Sequence, residues 1–414
     1  MKLPWLRLSI AVMFTTLSLT SVGQDWSRFR GPNGTGSTQS KANFKHLTEQ
    51  SVVWKSTLPG AGHSSPVHWG NHIFLTSTDG NSNEFYVLAI QSDTGKALWS
   101  KEFPYKTFEK HRFNSFASPT AAVDANQLYV SWGTPERFYV AALDHSGKLK
   151  WQRDLGTFKS QHGPGTSPML FEDLVIITNE QLGESFIIAM DQKTGETRWK
   201  TPRQSSKTAY STPCLSKDEK GKPILLVNSQ SHGIGALDPR SGAPLWEYTN
   251  AFDKRSCSSP IVAGGLVFGS CGSGGGGNFV VAIKPPNGTT QTSPELAYEI
   301  RKSAPYVPSF IAHGKWLFLW SDGGILSCVE PATGEVQWDE RTRGRFFGSP
   351  VAVNDQLIAV GDAGKIHVVS GTGEFKMFDT FDLKETCHST PAIIGDHLYV
   401  RTASHLWKLR PSAE

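Results

Sequence analysis

Ala-Leu-Asp-Pro-Arg-Ser-Gly-Ala-Pro-Leu-Trp, at Ala236–Trp246, is one copy of a phrase that recurs along the chain. Glycine lies four residues before tryptophan in five copies: Ala89–Trp99, Ala142–Trp151, Ala189–Trp199, Ala236–Trp246 and Cys328–Trp338. Weaker copies lie at Ala282–Gly288 and Val368–Phe375. Aspartate followed by glycine is typical of a tight turn, in which the carboxylate accepts backbone hydrogen bonds and glycine adopts a positive φ. The phrase therefore predicts a hairpin whose last strand carries a large aromatic side chain.

A second phrase, a small residue usually followed by proline, opens each segment. Its eight copies end at Pro66, Pro119, Pro168, Pro213, Pro260, Phe310, Pro350 and Pro391, which are 40 to 53 residues apart. A period of this length with four short strands per unit is typical of a β-propeller. We predict an all-β, eight-bladed propeller with four-stranded antiparallel blades, in which the repeated tryptophans pack between neighbouring blades.

The ends of the chain predict how the ring closes. The last segment, His388–Pro411, has room for only three strands, and Val52–Lys55 is a spare strand near the start. Pairing these two removes an exposed sheet edge, so we expect the N-terminal strand to complete the last blade. The propeller then occupies residues 51–414, preceded by an arm at residues 24–50. We expect Trp26 and Phe29 to anchor this arm on the outside or bottom of the ring.

The first residues predict export. Lys2 and Arg7 precede an apolar stretch, Leu8–Leu19, and the small residues Ser21 and Gly23 are spaced for cleavage before Gln24. We interpret residues 1–23 as a signal peptide rather than a buried helix, and expect a periplasmic or secreted protein. No later stretch is long and apolar enough to predict a membrane span. We expect a monomer.

Composition narrows the class of protein. The chain of 414 residues has 40 glycines, 24 prolines and only 19% charged residues, which fits short strands joined by turns. Without residues 1–23, which contain two cations and no acids, 39 Lys and Arg oppose 37 Asp and Glu, a net charge of +2. This balance does not favour nucleic-acid binding.

The five cysteines include one candidate disulfide. Cys257 and Cys271 flank a predicted hairpin, and they face each other if its loop has three residues. Two small buried apolar side chains are the equal alternative. No cysteine and histidine spacing predicts a metal site.

The repeated phrase resembles the repeat of the pyrroloquinoline-quinone (PQQ) propeller superfamily, which includes quinoprotein dehydrogenases and the outer-membrane assembly factor BamB. The resemblance covers about Val52 to Pro411. Asp25–Gly36, with its Phe-Arg-Gly-Pro-Asn-Gly core, and Leu58–Pro66 resemble exported propeller proteins of planctomycete-type bacteria. The resemblance implies PQQ with Ca²⁺ as the possible cofactor. The chain has no adjacent Cys-Cys pair of the dehydrogenase type, so we expect no cofactor.

Residues that enter the first strand of each blade ring one mouth of a propeller channel, and here they are basic and aromatic. The candidate ligand-binding residues are Arg112, Asn114, His162, Lys207, Tyr210, Arg255, Tyr306, Arg345 and His388. If they converge, they create a focused positive field that suits carboxylates.

Three functions fit this pattern. The first is a non-catalytic binding or scaffold module for a protein partner, an anionic small molecule or a polysaccharide. The second is a small PQQ-dependent oxidoreductase, the activity expected if the chain is an enzyme. The third is a carbohydrate-active propeller such as a polysaccharide lyase, for which His162, Tyr210, Arg255 and Tyr306 are suitable residue types. We predict no catalytic residue.

Overall fold

The structure, a computed structural model, describes residues 26–411 apart from residues 80, 82, 135 and 289. The predicted signal peptide lies outside the described residues. The strands are β1 (Ser37–Thr38), β2 (Val52–Thr57), β3 (Val67–Trp69), β4 (His72–Asp79), β5 (Glu84–Gln91), β6 (Ala97–Pro104), β7 (Ala122–Val123), β8 (Gln127–Gly133), β9 (Phe138–Asp144), β10 (Leu149–Asp154), β11 (Met169–Phe171), β12 (Leu174–Asn179), β13 (Ser185–Asp191), β14 (Thr197–Arg203), β15 (Cys214–Lys217), β16 (Pro223–Ser229), β17 (Gly233–Leu237), β18 (Pro244–Tyr248), β19 (Ile261–Ala263), β20 (Leu266–Cys271), β21 (Phe279–Lys284), β22 (Glu295–Ile300), β23 (Ile311–His313), β24 (Trp316–Trp320), β25 (Ile325–Val329), β26 (Val336–Arg341), β27 (Val351–Val353), β28 (Gln356–Val360), β29 (Lys365–Ser370), β30 (Met377–Asp382), β31 (Ala392–Ile394), β32 (His397–Arg401) and β33 (His405–Leu409).

Three short 3₁₀ helices, Pro32–Gly34, Glu49–Ser51 and Thr249–Ala251, complete the regular elements of the described chain. No helix in the described part of the chain is long and apolar enough to cross a membrane.

These strands form eight antiparallel sheets, which confirms the predicted eight-bladed propeller. Consecutive groups of four strands, from β3–β6 to β27–β30, make blades 1 to 7. Blade 8 consists of β31, β32, β33 and β2, and the pairing of Trp54 with Lys408 closes the ring as predicted. One further strand, β1, pairs in parallel with β27 on the inner edge of blade 7.

The two faces of the ring differ because every blade is an antiparallel meander. One face carries the hairpin turns between first and second and between third and fourth strands, and we call it the turn face. The other carries the connections between blades and the loops between second and third strands, and we call it the loop face. The first strands of neighbouring blades contact one another around the channel, as β3 contacts β7 and β27 contacts β31.

A chain of hydroxyl groups joins the blades at the channel. In each link, the backbone N–H of a serine or threonine at the start of one blade donates to the hydroxyl of the equivalent residue in the next. The links are Ser65 to Thr120, Thr120 to Ser167, Ser167 to Thr212, Ser259 to Ser309, Ser309 to Ser349, Ser349 to Thr390 and Thr390 to Ser65, at 2.9 to 3.3 Å. These residues are at most 3% exposed. The small residue of the second phrase therefore carries the link from blade to blade, except in blade 2, where Thr120 directly follows the phrase.

The repeated phrase makes a second set of links, on the turn face. An indole N–H, or a tyrosine hydroxyl in blade 5, donates to a carbonyl in the turn of the following blade. The pairs are Trp54 with Ser92, Trp99 with His145, Trp151 with Gln192, Trp199 with Pro239, Tyr298 with Pro331 and Trp338 with Gly373. In blades 1 to 4 and 6, the turn glycine lies against the ring of the preceding blade. A Cβ on Gly195, for example, would lie 2.6 Å from Trp151.

The seam between blades 8 and 1 has an additional cation. Arg401, fully buried at the end of β32, donates from Nη1 to the Thr76 carbonyl at 2.7 Å and from Nη2 to the Ser77 hydroxyl at 2.9 Å. Burial lowers the pKa of Arg401 to about 9, so it stays charged at neutral pH. The seam that joins the two ends of the chain is thus held by side-chain contacts as well as by β2.

Substitution of the turn glycine tests the contact between glycine and tryptophan. Gly195 and Gly221 have similar φ values, 72° and 77°, but a Cβ on Gly221 meets nothing within 4 Å. Gly221→Ala should therefore cost only the left-handed backbone term, about 1 kcal/mol. Gly195→Ala should cost about 1–3 kcal/mol more, because the methyl group overlaps the Trp151 ring. Urea denaturation measures the free energy of unfolding of both variants, and equal losses of stability would contradict the contact between Gly195 and Trp151.

The hydroxyl links predict a second difference in stability. Ser309→Ala leaves the buried N–H of Ser259 without its acceptor, which should lower the free energy of unfolding by about 1–3 kcal/mol. Ser100 lies exposed on an outer strand, so Ser100→Ala should change it by less than about 0.5 kcal/mol. Denaturation of the two variants beside wild type checks this, and a silent Ser309→Ala would show that the links are not needed.

Candidate functional site

The N-terminal arm fills the turn-face end of the channel. The carbonyls of Trp26 and Ser27 accept from His68 and Val123 in blades 1 and 2, and Asn33 pairs in both directions with the Leu215 backbone in blade 4. In blade 7 the N–H of Ala352 donates to the carbonyl of Gly36. Trp26 is 1% exposed. The sequence had left open whether the arm lies on the outside or at the bottom of the ring. The arm lies within the ring, at its turn face.

Three glycines with positive φ, Gly31, Gly34 and Gly36, let the arm turn inside this narrow space. A Cβ on Gly31 would lie 2.6 Å from the Trp26 ring, so the backbone passes directly over the indole. Beyond β1 the arm continues along the turn face, where Lys45 pairs with Asp355 of blade 7 at 2.7 Å.

Two arginines of the arm are buried in the channel. Arg28 donates to the Pro213 carbonyl at 2.6 Å, and Arg30 donates to the Phe310 carbonyl at 2.8 Å. Neither forms an ion pair with a carboxylate of the described chain. Burial lowers the pKa of both, that of Arg30 to about 10, so Arg30 stays charged at neutral pH. Backbone carbonyls at the start of blades 4 and 6 are thus tied together through the arm.

At the opposite end of the channel, the loop before blade 2 reaches across the mouth. The Phe113 ring lies 5.2 Å from Phe347 of blade 7 and 6.4 Å from His388 of blade 8, centre to centre. Two guanidinium groups, Arg112 and Arg345, lie 4.6 and 4.9 Å from the same ring. Arg345 also pairs with Asp362 at 2.6 Å, so its charge is neutralised locally.

Arg255 of the loop before blade 5 is the centre of a second cluster. Its Nε donates to the Thr208 carbonyl at 3.1 Å, and its Nη2 donates to Gln161 at 3.1 Å. Its Nη1 lies 2.9 Å from His162 Nε2 and donates to the Tyr306 hydroxyl at 3.5 Å. All of these acceptors are uncharged. Arg255 is therefore a half-buried cation that no carboxylate of the described chain neutralises.

Three histidines of the mouth, His63, His162 and His388, have lowered pKa values and are neutral at pH 7. Burial, Arg255 and His111 lower the pKa of His162 to about 4. Because Nε2 accepts from a permanent donor, the ring hydrogen of His162 lies on Nδ1. Burial likewise lowers the pKa of His63 and of His388, whose rings lie 4.5 Å apart. The positive charge of the mouth thus comes from its arginines and lysines.

The structure brings eight of the nine candidate residues into these two clusters. Arg112, Arg345 and His388 surround Phe113, whereas His162, Tyr210, Arg255 and Tyr306 form the second cluster. Asn114 joins the two, because its amide donates to the His162 carbonyl. Lys207 is exposed, and its backbone carbonyl accepts a hydrogen bond from the Ser205 hydroxyl.

Sequence reasoning missed the roles of Phe113 and His111. Phe113 is the contact point across the mouth, and the His111 ring lies 5.1 Å from His162. The unusual length of the loop before blade 2 was the available signal, since it gives a side chain enough reach to cross the mouth.

The candidate disulfide is not formed. Both Cys257 and Cys271 are free thiols. The hairpin turn has two residues, Gly264 and Gly265, because Ala263 pairs with Leu266. The turn is one residue shorter than the sequence interpretation required, and the bridge between Arg255 and Gly272 places Ser256 rather than Cys257 opposite Cys271.

The donor set of the mouth does not fit PQQ with Ca²⁺. Ca²⁺ takes about six to eight oxygen ligands. Asp362 is paired with Arg345, and Asp322 accepts the N–H groups of Tyr306 and Val307 at 2.6 and 3.1 Å. Burial raises the pKa of Asp322, which further disfavours a free carboxylate there. In the described ranges no three His, Cys, Asp or Glu side chains are grouped to hold a metal ion.

Comparison with known proteins places the chain in a family. A family model described as "Outer membrane protein assembly factor BamB" matches residues 83–340 and 278–412, most of the chain. The chain belongs to this BamB-type PQQ-repeat family. This confirms the resemblance drawn from the repeated phrase. No curated protein matches the sequence.

Solved structures share the fold at low identity. BamB from Moraxella catarrhalis is 16% identical with a TM-score of 0.61, over 88% of this chain and 98% of that one. The designed Ika8 protein is 11% identical with a TM-score of 0.61, over 86% and 98%. Quinohemoprotein alcohol dehydrogenase from Comamonas testosteroni is 13% identical with a TM-score of 0.52, over 94% and 81%. At these identities the likeness shows the propeller fold alone.

Removal of a channel arginine tests the role of the arm. Arg30→Ala leaves the Phe310 carbonyl without its donor and opens a cavity, which should lower the free energy of unfolding by about 2–4 kcal/mol. Arg30→Met fills most of that volume without a buried charge and should cost less than Arg30→Ala. Urea denaturation of both variants measures these losses in the free energy of unfolding. An Arg30→Ala protein as stable as wild type would show that the arm does not brace the ring.

Proposed function

We propose that this propeller is an exported, non-catalytic binding module that takes a carboxylate-bearing ligand at its loop-face mouth. Arg255 is the main ligand-binding group, and the site faces the periplasm or the external medium. The observation that carries the proposal is that Arg255, half-buried among side chains of four blades, donates only to neutral acceptors.

The hydrogen-bond inventory of Arg255 supports ligand capture. A guanidinium has five N–H donors, and the four contacts above use four of them. The remaining hydrogen is on Nη2, whose partner Gln161 is exposed and can be displaced. A carboxylate suits such an edge because its two oxygens match the planar fork of the guanidinium.

The cations near Arg255 attract the same anionic ligand, because they have no acidic partners in the described loops of the mouth. Within the described loops of the mouth, Lys110, Arg112 and Lys159 likewise form no ion pair with an acid. The clustered cations focus a positive field at the mouth, and the arm fills the channel below them. An anion is therefore drawn to a cup rather than to a through-channel.

A second candidate, cleavage of an acidic polysaccharide, is favoured by the convergence of His162, Tyr210, Arg255 and Tyr306. Elimination from a uronate needs a base near a neutralised carboxylate. His162, with a pKa of about 4, is a weak base, and burial raises the pKa of Tyr306. Binding without cleavage is for this reason the proposed function.

Calorimetric titration with trigalacturonate and with triglutamate tests the proposal, since one presents carboxylates on a sugar and the other on a peptide. We expect saturable binding of at least one of them, weakened by added salt. Arg255→Gln should lower affinity about ten- to a hundredfold. Arg240→Gln on the turn face removes the same charge far from the mouth and should leave affinity unchanged.

The outcomes separate the three functions. Failure of both ligands to bind, or wild-type affinity in Arg255→Gln, would overturn the proposal. Release of an unsaturated product from trigalacturonate, seen by ultraviolet absorbance, would establish the lyase instead. A saturable change in quinone absorbance on titration of PQQ with Ca²⁺ would favour the oxidoreductase, and we expect none.

A further inference from the structure

We infer that His162 is the second ligand-binding group of the mouth and that it acts through a proton. A carboxylate that binds Arg255 draws a proton onto His162 Nε2, and the two cations then hold the anion together. The inference rests on the proposed function, because it assigns the pH dependence of the same site.

The starting point is the direct contact between the two groups. His162 Nε2 lies 2.9 Å from Arg255 Nη1, so the imidazole lone pair accepts a hydrogen bond that a ligand would otherwise take. The neutral histidine thus caps part of the guanidinium. A proton on Nε2 removes that acceptor and leaves two N–H donors directed at the same gap.

The surroundings of His162 disfavour this proton while the gap is empty. Arg255 faces the ring from blade 5, His111 lies 5.1 Å away on the loop before blade 2, and Tyr210 lies 6.0 Å away on the loop before blade 4. Around Arg255, the nearby titratable groups are Tyr306 and the buried thiol of Cys257. None of these groups is an anion at neutral pH, since burial raises the pKa of Tyr210, Tyr306 and Cys257 to about 12 or beyond.

The backbone around His162 holds the ring in place. Its N–H donates to the Ser160 hydroxyl at 3.1 Å, and its carbonyl accepts from the Asn114 side chain. Neither bond involves a ring nitrogen, so both persist when the ring takes up a proton. The ring can therefore change its charge without moving its main chain.

A bound carboxylate reverses the balance. Its negative charge offsets the repulsion between Arg255 and a protonated His162, and one oxygen can accept from Nη1 while the other accepts from Nε2. The proton comes from solvent, and no bond of the ligand breaks. Binding then raises the pKa of His162 from about 4 towards or above the ordinary value for histidine.

The sign of the pH dependence follows from this shift. His162 is neutral in the free protein above about pH 4 and protonated in the complex below its raised pKa. Affinity therefore increases as pH falls through the pKa of the complex, by up to about tenfold per pH unit, and levels off below the pKa of the free protein. The mouth captures its ligand in mildly acidic medium and releases it as the medium becomes neutral.

Calorimetry of wild type with trigalacturonate, or with triglutamate if only that binds, measures the effect between pH 5.5 and 8. Both ligands keep their carboxylates ionised over this range. We expect binding about tenfold or more tighter at pH 5.5 than at pH 7.5. Repeating the titration in two buffers of different ionisation enthalpy should show uptake of up to about one proton per ligand.

The variant His162→Gln assigns the proton. Glutamine can still accept from Arg255 through its side-chain oxygen, but it cannot take up a proton at these pH values. It should lose the pH dependence, so that its affinity differs little between pH 5.5 and pH 7.5. His313→Gln is the matched control, because His313 lies on the turn face, where its Nε2 contacts the Asn354 carbonyl. This control should keep the wild-type profile.

Each outcome decides one of the two claims. Binding with no pH dependence and no proton uptake overturns the role of His162 but leaves the proposed function standing. A pH profile that survives in His162→Gln assigns the proton to another histidine and also overturns the inference. Absence of binding at every pH overturns the proposed function itself. If His162→Gln does not fold, the absence of proton uptake by wild type would still overturn the inference, and uptake would support it.

Discussion

At seven of the eight junctions between blades, a buried backbone N–H at the start of one blade needs an acceptor, and the next blade provides it as a hydroxyl. The bond from Thr390 back to Ser65 spans 325 positions of sequence and turns the row of blades into a ring. Each link crosses the gap between two sheets, so it fixes how far the first strands stand from one another. The width of the channel, the position of the loops above it and the space for the arm below it depend on this spacing.

The two ends of the channel are filled by different means. The arm enters at the turn face and bonds to the first strands through its backbone and two arginines. At the loop face, Phe113 reaches across from one side, and Arg255 is held by side chains from several loops. The result is a cup with a basic rim. Arg28 and Arg30 donate to backbone carbonyls low in the channel, and near its surface Arg255 has no carboxylate partner among the described residues.

Much of the fold could be predicted because the repeat is local chemistry. Aspartate and glycine specify a turn within a few residues, and in blades 1 to 4 the turn glycine leaves room for the tryptophan of the preceding blade. The residue whose hydroxyl links the blades was harder to align along the sequence. In blade 2 it is Thr120, after Pro119, whereas in blade 1 it is Ser65, before Pro66. The predicted disulfide is absent because Arg255 pairs with Gly272, and a register shift by one changes which residue lies opposite Cys271.

The sequence by itself determined the number of blades, the closing strand and which loops supply the mouth. Those features repeat along the chain and follow from short-range spacing. Only the tertiary structure decided where the arm lies and which cations have no carboxylate partner. Arg345 meets Asp362 from a neighbouring loop, whereas Arg255 meets His162 from 93 residues away. Ion pairing depends on distances across the ring, and no local pattern of residues specifies those distances.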